Sequence, residues 1–534
     1  MSYQNDNLDL LKKLTAVQSD TGTSLEKDVE EYVHNFLKEL PYFKLNDTFG
    51  LSPISSDVNE RAVVWSLVKG TGRDTIVLLN HHDVVDSDDY GAFQKYAYNP
   101  ELLKEELKTI SHTEDVTDDL LSDDWLFGRG TADMKGGLAI QLNIIKKYSQ
   151  LEGFNGNLLF LSVPDEESLS AGMRHGAKLI VELMKKYDLK YKLLINSEPH
   201  EREQGDYTIY DSSVGKTMAT VYVQGKKTHI GKIFEGLNPS LILSRIVMNT
   251  ELNSELCDID LKEISPPPSW SFVRDFKNSY DASVPEAAGG YVSFLTLKKS
   301  PKDILDNLKA ICTKSFIETN DYLVREFEKL YPKSIDVPTY MPNVKLYEEL
   351  LADARVMDNV LTEKVLEENF SKIKSLMSKN EITMPESNFI IIKALLEIAA
   401  YNIPTVVIAL SPPYYPHVSS QKNDEHIEVI DEILKITEGL GIKRLHYFMG
   451  ISDLSYVGLQ NGGEIIPYVA PNMPLWRDDF YTIPFEDMEA VSMATVIVGP
   501  WGKDLHKMTE RIYIPDLVKH TPLLIERLIE SLLL

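Results

Sequence analysis

The run Thr75-Ile76-Val77-Leu78-Leu79-Asn80 is followed at once by His81-His82-Asp83-Val84-Val85. Six uncharged, mainly branched side chains in a row are the pattern of a strand buried on both faces, as in a parallel sheet covered by helices. A histidine just past such a strand stands where open α/β sheets bind their ligands, outside the carboxyl ends of the strands.

Around this stretch the pattern alternates. Leu8, Leu11 and Leu14 share one helical face, and Val29, Val33, Phe36, Leu37 and Leu40 share another. Thr23-Ser24-Leu25-Glu26, at capping-box spacing, precedes the second helix. Strand patterns at 61–68, 157–163 and 191–196 are interleaved with helical patterns at 137–148, read as amphipathic, and about 172–187. This predicts an α/β fold: a mixed, mostly parallel sheet with helices on both faces.

Near Val214 the order becomes strand, helix, strand, strand, helix, at 217–223, 239–249, 269–276, 290–297 and 301–317. A strand at 405–410 would close a small second sheet in split-βαβ, ferredoxin-like order. About 320–402 is charged and mainly helical, as at 344–356 and 387–400, and reads as an insertion. Alternation returns with a helix at 427–439, a strand at 494–498 and a helix at 515–533. The simplest division is a first domain split between 1–213 and 419–534, with an α+β domain, 214–418, inserted into it.

Composition narrows the function. The 534 residues exceed one core, since domains usually hold ~100–200 residues. A net charge of −26, from 55 basic and 81 acidic residues, argues against nucleic acid or an anionic membrane as partner. With only Cys257 and Cys312 there is no disulfide framework, which fits a reducing compartment. The N-terminus lacks the basic and apolar regions of a signal peptide, and no apolar run approaches the ~18 residues of a membrane span. A cytoplasmic protein acting on a small molecule is expected.

Six residues at predicted strand ends or the turns after them carry the chemistry: His81, Asp133, Glu166, Glu167, Glu198 and His506. Imidazoles and carboxylates are what two Zn²⁺ ions need at a site left open for water and substrate. Positions i and i+2 of a strand face the same way, so Asp83 is placed to hydrogen-bond the far nitrogen of His81. In Gly128-Arg129-Gly130-Thr131-Ala132-Asp133-Met134-Lys135-Gly136-Gly137, four glycines permit a tight path and Asp133 precedes a helix, where one carboxylate can bridge two cations. That loop lacks the spacing of a P-loop or dinucleotide fingerprint. In Pro164-Asp165-Glu166-Glu167, one glutamate can bind metal while its neighbour moves a proton. Neighbouring acids seldom face each other across a sugar, as a glycosidase needs.

In order and spacing, these segments, with Ser197-Glu198-Pro199 and Gly499-Pro500 ahead of His506, resemble the dizinc peptidase and deacylase family M-20. That family holds aminoacylases, glutamate carboxypeptidase, succinyl-diaminopimelate desuccinylase and peptidase T. The resemblance implies a zinc-exopeptidase-like catalytic domain with an inserted lid. It implies that Asp133 bridges both zincs, that His81 and Glu198 complete one, and that Glu167 and His506 complete the other. Glu166 would be the general base and Asp83 the orienter of His81. Gly225-Lys226-Lys227-Thr228-His229 with Gly236-Leu237-Asn238-Pro239 resembles the lid motif, whose histidine holds the oxyanion and in dimeric members acts on the partner subunit's site. Gly450-Ile451-Ser452-Asp453 fits a further catalytic-domain motif.

The lid strand Tyr291-Val292-Ser293-Phe294-Leu295-Thr296-Leu297 carries no arginine where many members grip a substrate carboxylate, and Arg245 and Arg274 are the substitutes considered. The insertion and Tyr414-Tyr415-Pro416-His417 point to the longer, RocB-like branch associated with arginine utilisation. The expected activity is hydrolysis of an amide or peptide bond in an N-acyl amino acid or dipeptide. Mn²⁺ or Co²⁺ would suit the same donors. The rival reading is a catalytically lapsed metal-binding or regulatory protein of the same fold in arginine catabolism. The intact Glu166 argues against it.

Overall fold

The structure, a computed structural model, describes residues 4–55, 57–202, 205–332, 339–459 and 462–533. Contacts divide the chain into two compact units: Met1–Val214 with Val418–Gln460 and Ile483–Leu534, and Gly215–His417 with Asn461–Thr482.

The main sheet of the first unit runs in the order 49–53, 62–69, 157–163, 74–81, 190–196, 494–497, 207–213 and 418–419, with 442–448 also paired to 207–213. Its central strands Asn157–Val163, Asp74–His81, Lys190–Asn196 and Ala494–Ile497 are parallel neighbours. Four parallel strands end on one edge, so whatever follows each of them is delivered to the same place. Ile76, Leu78, Leu158, Phe160, Leu193 and Ile195 enter a core shared with the helices Gly136–Tyr148 and Thr521–Leu533. Their neighbours Val77, Leu79, Leu159, Leu161 and Leu194, equally buried, point to the opposite face. Helix Ala171–Tyr187 packs against strands Ala62–Lys69 and Asn157–Val163. Each such buried side chain stabilises the fold by roughly 1.5–3 kcal/mol.

Three local expectations are corrected. Helix Gly136–Tyr148 is not amphipathic: residues 136–145 are buried on every side, because the helices Gln4–Thr15 and Thr521–Leu533 cover the face turned away from the sheet. Its polar side chains are satisfied: Gln141 donates to the Leu79 carbonyl and the Ser197 hydroxyl at 2.8 Å each, and Asn143 to the Asn7 amide oxygen at 2.7 Å. The capping box does not form either. Helix Glu26–Glu39 begins without a side-chain cap, and the Glu26 carboxylate turns inward to accept from Gly22, Arg61 and Asp165 at 2.8 Å each. Buried acceptors demand donors, and that demand outweighs the local cap. Third, Val344–Leu346, expected to be helical, is a strand pairing in parallel with Val406–Ile408 ahead of helix Tyr347–Met377.

A separate three-stranded sheet pairs Trp125–Phe127 with Arg511–Tyr513, and that strand with Gly502–Lys503. In the second unit the sheet order is 269–275, 287–296, 215–224, 405–415 and 344–346. With helices Pro239–Thr250 and Pro301–Leu330, its four antiparallel strands give the ferredoxin-like arrangement. Helices Tyr347–Met377 and Met384–Ile398 pack on each other, and the second also on strand Thr405–Tyr415. Among the described residues, no helix is long and apolar enough to cross a membrane.

Candidate metal centre

Each central strand hands over one part of a cluster. His81 is the last residue of its strand, paired with Val163, and its side chain is 1% exposed. Glu166 and Glu167 follow strand Asn157–Val163, and Glu198 follows Lys190–Asn196. After Ala494–Ile497 the chain passes Gly499, where a Cβ would lie 2.0 Å from the Glu198 carbonyl oxygen, so only glycine admits this close approach. It then enters the small sheet, whose hairpin 503–511 carries His506. Because Arg511 pairs with Phe127, the hairpin lies beside the loop that carries Asp133. Gly130 in that loop has φ +71°, and a Cβ there would meet Val84 at 2.3 Å.

At the centre is Asp133. Its Oδ1 lies 3.1 Å from His81 Nε2, which is 3.7 Å from Glu198 Oε1. Its Oδ2 lies 3.2 Å from His506 Nε2, which is 3.1 Å from Glu167 Oε2. The two oxygens of one carboxylate thus face two imidazole–carboxylate pairs. Donors ~2.0–2.1 Å from a tetrahedral Zn²⁺ stand ~3.3 Å apart, so this spacing suits ligands sharing an ion.

The electrostatics ask for cations. Burial, with Asp133 beside it, pushes Glu167 up to about 7. Burial also raises Glu198, and holds Glu166 well above its ordinary range against the pull of His81. Burial would raise Asp133 too, but hydrogen bonds from His506 and His81 hold it well below the carboxylate range. Bonds to Asp133 and Glu167 push His506 up to about 11. Among the described residues, Asp133, Glu167 and Glu198 find only imidazoles as ionic partners. Glu167 Oε1 is buried without a hydrogen-bond partner. A buried acidic cluster with an orphaned oxygen fits metal ions, and His81, Asp133 and Glu167 each bring a donor atom within 4.8 Å of the others.

Asp83 meets His81 mainly through its backbone, and its carboxylate is engaged elsewhere. The ring Nδ1 is 3.0 Å from Asp83's backbone carbonyl and 3.5 Å from its carboxylate. The carboxylate itself accepts the backbone N–H groups of Glu166 and Glu167 at 3.1 Å each, fixing the turn that carries them. From the other side Arg61 binds Asp165 at 2.6 Å, with Asp165 held at φ +68°. Asp453, to which the sequence assigned no role, is fully buried, and burial pushes its carboxyl up to about 8 in the field of Asp83 and Glu198. Its place after Gly450-Ile451-Ser452 was the signal. His229 lies in the second unit with its ring exposed and Nδ1 accepting from the Gly231 N–H at 3.0 Å. Arg245 and Arg274 stack on Tyr322 and Phe276 of the same unit.

A hydrogen-bonded set of imidazoles and carboxylates at the carboxyl edge of a doubly covered sheet defines a class, the metal-dependent hydrolases. The signature described as Peptidase family M20/M25/M40 matches residues 109–474. Over its whole length the chain is 34% identical to Uncharacterized protein YqjN of Bacillus subtilis (strain 168), covering 98% of it. It is 28% identical to Protein RocB of the same organism, over 97% of this chain and 93% of the other. Its fold is shared with the crystal structure of aminopeptidase PepT from Bacillus cereus ATCC 10987, at a TM-score of 0.55 and 13% identity, covering 99% of this chain and 98% of that one. The chain belongs to peptidase family M20.

Proposed function

We propose that the chain hydrolyses the amide or peptide bond of a small amino-acid derivative, an N-acyl amino acid or a dipeptide, with two zinc ions at this cluster. The observation that carries the reading is Asp133, whose oxygens face one imidazole–carboxylate pair each. In this reading His81 and Glu198 hold one ion with Asp133, and His506 and Glu167 hold the other. Mn²⁺ or Co²⁺ would suit the same nitrogen and oxygen donors. When bound, such a pair supplies Lewis acidity, lowering the pKa of water and polarising a carbonyl.

The side chains do the rest. Glu166, buried and with its proton affinity raised, takes a proton from the attacking water as the new C–O bond forms. It returns that proton to the amine nitrogen as the C–N bond breaks. Asp83 keeps both the His81 ring and the Glu166 turn in place. His229 is the assigned donor to the carbonyl oxygen as it gains charge. If it acts on a partner subunit's site, the working form is a homodimer.

The test is hydrolysis of N-acyl amino acids and dipeptides by the zinc-reconstituted protein, with Glu166→Gln beside it. Turnover of one of these classes is expected, falling about 10²–10⁴-fold in the variant at unchanged metal content. Metal binding with no hydrolysis across the panel would favour the lapsed, regulatory reading.

A further inference from the structure

Glu510 is a carboxylate at 1% exposure, four residues after His506 in the same hairpin. Its contacts converge on one short stretch. Its backbone carbonyl accepts the Gly128 N–H at 3.1 Å. Its Oε2 accepts from the Arg129 guanidinium at 3.0 Å. Its Oε1 accepts the backbone N–H groups of Ala132 at 3.1 Å and Asp133 at 3.3 Å. Arg129 is equally buried and anchored on its far side by Asp89 at 2.5 Å and by the Tyr90 ring.

A buried ion pair alone is a weak reason for keeping two charges out of water, since apolar replacements are often as stable. Nor would neutralising Arg129 require the second oxygen to take two amides of the Asp133 loop. The hairpin therefore grips that loop through one side chain, and it does so beside His506, whose φ of +63° is a conformation an L-residue holds only when its surroundings impose it.

We infer that Glu510 is a positioning residue: it locks the main chain at Asp133 to the hairpin bearing His506, and so sets the gap in which the second metal ion is held. It touches neither substrate nor the reacting atoms. It acts on the cluster from behind, as the outer hydrogen-bond partners of metal ligands do. This inference rests on the dizinc reading of the cluster.

The experiment compares wild type, Glu510→Gln and Glu510→Asp for zinc bound per chain, zinc dissociation constants by chelator competition, and melting temperatures with and without zinc. The glutamine variant keeps the shape but sets an amide N–H₂ against either Arg129 or the loop amides. The aspartate variant keeps the charge but withdraws the oxygens, and reports if the first does not fold. Wild type is expected to bind two zincs. In either variant the weaker site is expected to lose about 10–100-fold in affinity, the tighter one to change little, and the melting-temperature gain on adding zinc to shrink. Two zincs bound with wild-type constants, with both melting temperatures lowered equally, would make Glu510 merely structural and overturn the inference. Fewer than two zincs in wild type would instead overturn the dizinc reading.

Discussion

The two imidazoles of the cluster reach Asp133 from opposite kinds of structure. His81 ends a central strand, is shut from solvent and takes its position from a ladder hydrogen-bonded on both sides. His506 sits in a hairpin loop, with half its side chain exposed and its backbone in the left-handed region. Its loop is held by side chains instead: Asp504 accepts from Thr509 at 2.9 Å and from Arg511 at 2.5 Å. The difference teaches a division of labour. The sheet builds a wall whose strand ends carry His81, Glu167 and Glu198, and a clasped, half-exposed loop adds His506.

The comparison can be broken most severely at the residue both sides share. Asp133→Ala should remove both metal sites and abolish turnover to below about 10⁻⁴ of wild type, measured as metal content and kcat. Wild-type metal content there would show that the two halves do not meet at Asp133. On the strand side, Leu78→Ala should cost roughly 2–5 kcal/mol in denaturant unfolding, because Leu78 is fully buried beneath the site. A cost under about 1 kcal/mol would mean that the wall is less rigid than its burial indicates.

Protons sharpen the loop side. In the metal-free cluster His506 stands at about 11 and Glu167 at about 7, both above their ordinary values, so at neutral pH His506 holds a proton and Glu167 is about half protonated, and these protons must leave before the two groups ligate. Zinc affinity should therefore rise with pH, by about tenfold per unit above ~7, where only His506 must give up a proton, and more steeply below it, where Glu167 must as well. Titration calorimetry in buffers of different ionisation enthalpy checks this, and a pH-independent affinity would contradict it. The smallest effect is expected from Thr509→Val, which removes one hydrogen bond from the loop and should cost about 1 kcal/mol of stability.

The same contrast explains what the sequence could announce. Strands 74–81 and 157–163 were legible because both faces are buried and every residue reports it. Strand Tyr207–Ser213, with Thr, Asp and Ser among its seven residues, was not, because Asp211 and Ser212 find partners far along the chain, Arg444 and Gln421 for the first and Ser419 for the second. The strand at 344–346 was hidden by a helical pattern that tertiary pairing overrides. In the site, His81, Asp133, Glu166, Glu167, Glu198 and His506 stood out as chemistry at strand ends. Glu510 and the turn-holding role of Asp83 did not, because both act through backbone amides, and an amide has no letter in the sequence. Glu26 misled for a related reason: its spacing fits a cap, while besides Gly22 it takes partners 35 and 139 residues away.

The account's central claim is that one carboxylate serves two ions, one held from the sheet and one from the loop. Counting metal equivalents per chain in wild type and His506→Ala by elemental analysis tests it most directly. The account predicts two in the wild type and one in the variant. Equal counts in the two proteins, or a single ion in the wild type, would contradict it.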